Sequence, residues 1–165
     1  HNLGAIYAEA GRTEEAIGAF EAAIARSPDP EGHLSLGLVH LGEGDLERAL
    51  VHFEKSVVID PAFTRGHYYA ALCLQKQGRY DAALRRLDRV LSQEPELVRA
   101  HYYRGVCLHK LARHEDALDA LKAAEAAFPE DGRLHYQLAL TLDALGRTEA
   151  ARRHYHLSRL GRASG

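Results

Sequence analysis

The sequence predicts an all-α protein, a solenoid of about five helix-turn-helix repeats, and three observations carry that prediction. His33, His67, His101 and His135 recur at a constant interval of 34 residues. Pro61, Pro95 and Pro129 keep the same step, as do Gly44 and Gly78, with Gly146 two periods further on. Within each period, apolar residues fall at helical spacing on both sides of a turn. A repeat of this length marks stacked two-helix units, none of which can bury its apolar face alone. The whole chain, 1–165, reads as one such domain.

The units follow in order. Residues 1–29 hold Leu3, Gly4, Tyr7, Ala16, Phe20 and Pro28. The chain opens at His1, without a Met and inside what should be a helix, so it reads as a piece of a longer protein. Residues 30–63 hold Leu36, Gly37, His40, Ala49, Phe53 and Pro61. The link from Pro28 to His33 is one residue shorter than its counterparts, which predicts a slightly different packing of the first pair on the second. Residues 64–97 show the design best. From Thr64 to Gln77, the residues Ala70, Ala71 and Leu74 share one stripe, and Gly78 and Arg79 then break the helix. Ala83, Leu84, Leu87, Val90 and Leu91 form a second apolar face that Pro95 terminates. Small Ala71 and Ala83 let the two helices approach, and Leu74 and Leu87 fill the space around them. Residues 98–131 hold Gly105, Leu108, Ala117, Leu121 and Pro129, with Ala112 in place of the inter-helix glycine. Residues 132–160 hold Leu138, Ala139, Leu142, Ala151 and Tyr155. The final helix is expected over about Thr148–Leu160, with 161–165 as a frayed tail. No polar capping helix follows it, so another element is expected to cover its outer face.

These residues resemble the tetratricopeptide repeat, with its pattern Trp-x2-Leu-Gly-x2-Tyr, then Ala-x3-Phe, then Pro. The resemblance covers the chain five times over. Departures are His at the Trp site in four units, and Arg104 where Leu is usual. The resemblance implies a right-handed superhelix whose first helices line a concave groove, serving as a protein-interaction scaffold and not as an enzyme.

Composition narrows the class. With 46% hydrophobic and 27% charged residues and a net charge of −2, the chain is suited to a folded domain and not to disorder. No run of 18 apolar residues is present and no leader peptide is visible, so no membrane insertion is expected. The slightly acidic balance argues against nucleic acid as a partner. Charge is uneven: residues 1–34 carry six acids against two Arg, and residues 132–165 carry six Arg against two acids. Opposite poles favour head-to-tail association. Cys73 and Cys107, one period apart, read as buried free thiols, which favours a reducing, cytoplasmic compartment.

No catalytic centre, cofactor site or metal site is expected. Successive positions of the His ladder stand at least one helix spacing apart, too far to share an ion. No Cys or carboxylate joins the ladder at ligand spacing, so each His is expected to pack between helices with one nitrogen hydrogen-bonded. His154 and His156 point in different directions. His114 begins no zinc motif, because Leu118 stands where its second His would be. Gly42–Glu47 follows a helix and is an inter-helix turn, not a phosphate loop.

The candidate site is the groove. Arg65, Tyr68, Leu72 and Lys76 share one stripe distinct from the core stripe. It recurs as Arg99, Tyr102, Val106 and Lys110, and in part as Arg133, Tyr136 and Leu140, with Tyr69, Tyr103 and Gln137 beside it. In the second repeat, Glu31, Leu34, Leu38 and Leu41 make that end more apolar. Tyr and Arg anchor interfaces, the one by rigid aromatic area and the other by a planar donor fork. The expected partner is a protein or peptide segment with acidic and apolar residues. The resemblance implies a two-carboxylate clamp for chaperone tails in some members. Here its sites hold Leu34, Leu38, Tyr69, Arg99 and Tyr103, or Tyr68, Leu72, Tyr103, Arg133 and Gln137. One basic residue in each set argues against that ligand. Two alternatives remain: head-to-tail self-assembly into a homo-oligomer, or a substrate-recognition arm of a larger enzyme such as a glycosyltransferase.

Overall fold

The computed structural model of the chain describes residues 2–163, most of them helical, and among these there is no strand. The helices are α1 (Asn2–Glu9), α2 (Thr13–Arg26), α3 (Pro30–Gly42), α4 (Leu46–Ile59), α5 (Thr64–Lys76), α6 (Tyr80–Gln93), α7 (Val98–Lys110), α8 (His114–Glu125), α9 (Gly132–Ala144) and α10 (Thr148–Ala163). The all-α repeat architecture is the one predicted. Among the described residues no helix is long and apolar enough to cross a membrane.

One device closes every repeat. The turns place Gly11, Gly44, Gly78 and Gly146 at φ of 70°, 80°, 74° and 73°, and Ala112 takes the same left-handed conformation at 59°. The amide after each of them donates back to a carbonyl five residues earlier. Asp45 donates to His40 at 2.9 Å, Arg113 to Leu108 at 2.9 Å and Arg147 to Leu142 at 2.9 Å. This satisfies orphan carbonyls at the end of the first helix and reverses the chain in three residues. Side-chain caps start some helices: Asp29 accepts from the Gly32 amide at 2.8 Å, and Asp45 from that of Arg48 at 3.0 Å.

The chain packs as two compact units, His1–Arg79 and Tyr80–Gly165, where the sequence reads as one domain. The division falls in the turn inside the third repeat. In the first unit, Ala16, Phe20 and Leu36 pack together with Tyr7, Ile17 and Val39 around them. Leu34, Ala49, Phe53, Ala70 and Cys73 form the next cluster. Gly37 sits against the Phe53 ring, where a Cβ would collide with it. That contact explains why a residue with no side chain faces the bulkiest buried one. In the second unit, Leu118, Leu121, Ala124, Leu134, Leu138, Leu142 and Ala151 form the core. Gly105 repeats the arrangement with a Cβ position 2.6 Å from Leu121 Cγ. Burying a Leu or Phe in such clusters stabilises by roughly 1.5–3 kcal/mol each.

Arg104, at a site where Leu is usual, donates from Nε to Asp88 Oδ1 at 2.7 Å, tying α7 to α6. The last helix runs to Ala163, so residues 161–163 are helical and not tail. Gly161 lies close enough to the start of α9 that a Cβ would stand 2.5 Å from the Glu130 carbonyl. Tight backbone approach, not fraying, accounts for this glycine. Ser164 and Gly165 of the expected tail lie outside the described residues. Leu157 and Leu160 on α10 are exposed.

Candidate functional site

The first-helix stripe behaves differently in the two units. In the first unit, the Arg65 guanidinium donates through Nη1 to both oxygens of Glu31, 2.9 Å each. Glu31 lies one period earlier, so this arginine is paired within the protein. Tyr69 stacks on Phe53 with centroids 5.5 Å apart and packs against the core cluster around it. Tyr68 meets Tyr69 edge-on at 5.2 Å. Leu72 is half-buried and Lys76 exposed in the last turn of α5.

In the second unit, Arg99, Tyr102, Tyr103 and Arg133 come together around a hollow of about 220 Å3. Phe128, Asp131, Ala124 and Leu134 complete its wall. Tyr102 leans on the core cluster, and burial raises its phenol above the ordinary tyrosine range. Tyr103 meets it edge-on at 5.1 Å. Asp131 caps α9, accepting from the Arg133 amide at 2.8 Å and the Leu134 amide at 3.1 Å. Phe128 is 42% exposed on the loop before it. Among the described residues, neither Arg99 nor Arg133 meets a carboxylate at ion-pair distance, in contrast to Arg65. The hollow thus offers two guanidinium groups, two phenol rings and an exposed Phe, a surface suited to a carboxylate beside an apolar group.

Val106, Lys110, Tyr136, Gln137 and Leu140 are not in the wall of this hollow. Tyr136 is 37% exposed and meets Tyr155 edge-on at 6.1 Å. The Tyr155 hydroxyl donates to Asp143 at 2.8 Å, and that bond pushes its phenol up to about 12. Sequence periodicity missed Phe128 and Asp131, because both sit in the inter-repeat loop where no helical stripe runs. An aromatic beside Pro129 is the only signal the sequence offers.

Each of the four ladder His has a ring nitrogen at hydrogen-bond distance from a partner, as expected. Nε2 of His67, His101 and His135 donates to the carbonyl of Pro61, Pro95 and Pro129 at 3.0, 2.7 and 2.6 Å. A carbonyl only accepts, so these rings carry their proton on Nε2 and present a bare Nδ1 when neutral. In the second repeat, with its shorter link, His33 Nδ1 instead lies 3.2 Å from His52 Nδ1. Burial, with His33 and Lys55 nearby, pushes His52 down to about 4. His135 Nδ1 likewise lies 3.0 Å from His154 Nδ1. Here the expectation that no carboxylate joins the ladder is overturned. Glu125 Oε1 stands 3.8 Å from His135 Nδ1 and 3.9 Å from His154 Nδ1. The three come from α8, α9 and α10, so no sequence spacing could bring them together on paper. Cys73 and Cys107 are buried free thiols, as expected, and burial pushes them up to about 11 and about 12. Neither is a thiolate near neutral pH.

Hairpins closed by left-handed turns, with apolar clusters shared between successive helices inside each unit, define a helical-repeat protein of the interaction-scaffold class. The chain belongs to the tetratricopeptide repeat family, whose pattern matches residues 1–62, 68–132 and 110–158. Comparison with curated proteins finds no match. Among solved structures it is similar to MamA MSR-1, with 27% identity and a TM-score of 0.83 over 99% of this chain and 95% of that one. It is also similar to MamA 41-end from Desulfovibrio magneticus RS-1, with 24% identity and a TM-score of 0.89 over 98% and 93%. A further MamA structure shares 20% identity at a TM-score of 0.87 over 98% and 95%. The likenesses at 24% and 20% speak to the fold.

Proposed function

We propose that this chain captures a segment of a protein partner, with the hollow around Arg99, Tyr102, Tyr103 and Arg133 taking an acidic residue next to an apolar one. The observation that carries this reading is the convergence in one concavity of aromatic rings with two guanidinium groups that, among the described residues, meet no carboxylate at ion-pair distance. Arg65 is set apart by its pairing with Glu31 and contributes less. The test is selection from a displayed peptide library, followed by affinity measurement on the enriched peptides. These should be acidic and apolar, and Arg99→Glu with Arg133→Glu should weaken their binding by at least about tenfold. Both side chains are exposed, so the double variant should keep the helical spectrum and melting point of the parent. Undiminished binding by that variant would sink the reading.

A second reading, association between copies, is favoured by exposed apolar residues on α1 and α10. Leu3 and Ile6 are 55% and 60% exposed, and Leu157 and Leu160 are 39% and 53% exposed.

A further inference from the structure

We propose that Glu125, His135 and His154 form a site for one divalent transition-metal ion of the zinc type. The geometry is that of a ligand set. With edges of 3.0, 3.8 and 3.9 Å, the point equidistant from the three donor atoms lies about 2.1 Å from each, the length of a Zn–N or Zn–O bond. Two imidazoles and a carboxylate match zinc and its neighbours, whereas Mg2+ and Ca2+ prefer oxygen alone. Water would supply a fourth ligand, since Glu125 and His154 are 32% and 18% exposed.

The hydrogen bond that would orient a ligating ring is already in place. His135 is 3% exposed, and its Nε2 donates to the Pro129 carbonyl, which leaves the Nδ1 lone pair directed at the site. Metal-bound imidazoles are held by such bonds, which select the tautomer and fix the ring. In the metal-free protein two bare Nδ1 atoms cannot sit 3.0 Å apart, so His154 Nδ1–H donates to His135 Nδ1. On binding, that proton shifts to His154 Nε2, and the metal takes the space between the rings.

The repeat itself shows that this cluster is a departure. Four residues before the repeat-closing proline, the first three repeats carry Ile24, Val57 and Leu91, where the fourth carries Glu125. Nineteen residues after the ladder His, the third and fourth repeats carry Arg86 and Ala120, where the fifth carries His154. A half-buried carboxylate in an apolar slot opposes stability unless it has partners. The second repeat supplies an internal control: His33 and His52 meet in the same way, but Ile24 replaces the carboxylate.

The experiment is titration of the full chain, stripped by a chelator, with Zn2+ against a competing chromophoric chelator, and with Co2+ followed by its visible absorption. One equivalent should bind, with the intense spectrum of four-coordinate Co2+. Glu125→Gln and His154→Ala should each weaken binding by about tenfold or more, and His52→Ala should leave it unchanged. Zn2+, but not Mg2+, should raise the melting temperature of the parent and not of Glu125→Gln. Glu125→Gln is nearly isosteric, so its folding is not in question even if His154→Ala loosens α10. Absence of a one-equivalent site, or equal affinity in parent and Glu125→Gln, would overturn the proposal. Neither result bears on the peptide reading, which uses other residues.

Discussion

At the scale of single residues, the turns show how one side chain can oppose a motif without breaking it. Ala112 occupies a backbone position held by glycine in the four other repeats, at φ 59°. An L residue there crowds its Cβ against the backbone at a cost of roughly 1–2 kcal/mol, partly offset by the smaller entropy loss of Ala on folding. Ala112→Gly should therefore stabilise the protein by about 0.5–1 kcal/mol, read as a higher denaturant midpoint at unchanged slope. A lower midpoint would mean that the alanine methyl makes contacts worth more than the strain. The turn at Ala112 forms regardless, because the Arg113 amide still reaches the Leu108 carbonyl at 2.9 Å.

At the scale of helices, histidines join elements that the apolar stripes also join, and they add a pH dependence. His33 on α3 meets His52 on α4, with His40 stacked on His52 at a centroid distance of 5.5 Å. Burial first, then His33, Lys55 and His40, push His52 down to about 4. Unfolded, the same ring takes up its proton near the ordinary value of about 6.5. Between those limits the unfolded chain binds more protons than the folded one, so stability present above about pH 6.5 falls as the pH drops toward 4. His33, His109 and His154 are lowered too and act in the same direction. Denaturation at a series of pH values should show the midpoint falling through this window, with a shallower fall in His52→Gln. An identical slope in the variant would remove His52 from the account.

At the scale of the whole molecule, charge and exposed apolar residues bear on association. In the association between copies proposed above, the six acids against two Arg of residues 1–34 would face the six Arg against two acids of residues 132–165 in another copy. Together with exposed Leu3, Ile6, Leu157 and Leu160 these favour contacts between copies. Attraction of this kind is screened over about 10 Å at 0.1 M salt. Light scattering should therefore give a mass above 18.3 kDa at low salt and high concentration, falling toward it as salt is added. A monomeric mass under all conditions would exclude the second reading and leave the peptide reading untouched.

The sequence by itself determined the fold, because the fold is periodic. A step of 34 residues in His, Pro and Gly, with Ala and Leu at helical spacing, specifies each hairpin locally, and stacking follows from the apolar faces left over. It also determined which stripe carries Arg99, Tyr102, Tyr103 and Arg133, since that stripe repeats with the rest. Tertiary structure decided what periodicity cannot encode. Arg65 is taken by Glu31, Arg104 by Asp88, and Tyr69 by the Phe53 ring, each an encounter between different helices. Phe128 and Asp131 enter the hollow from a loop, which has no stripe to read. The Glu125–His135–His154 cluster draws on three helices and breaks the repeat at two of its three positions. Repetition makes the common features of the units legible in one dimension. What distinguishes one unit from the others depends on which side chains meet in space, and only the folded chain specifies that.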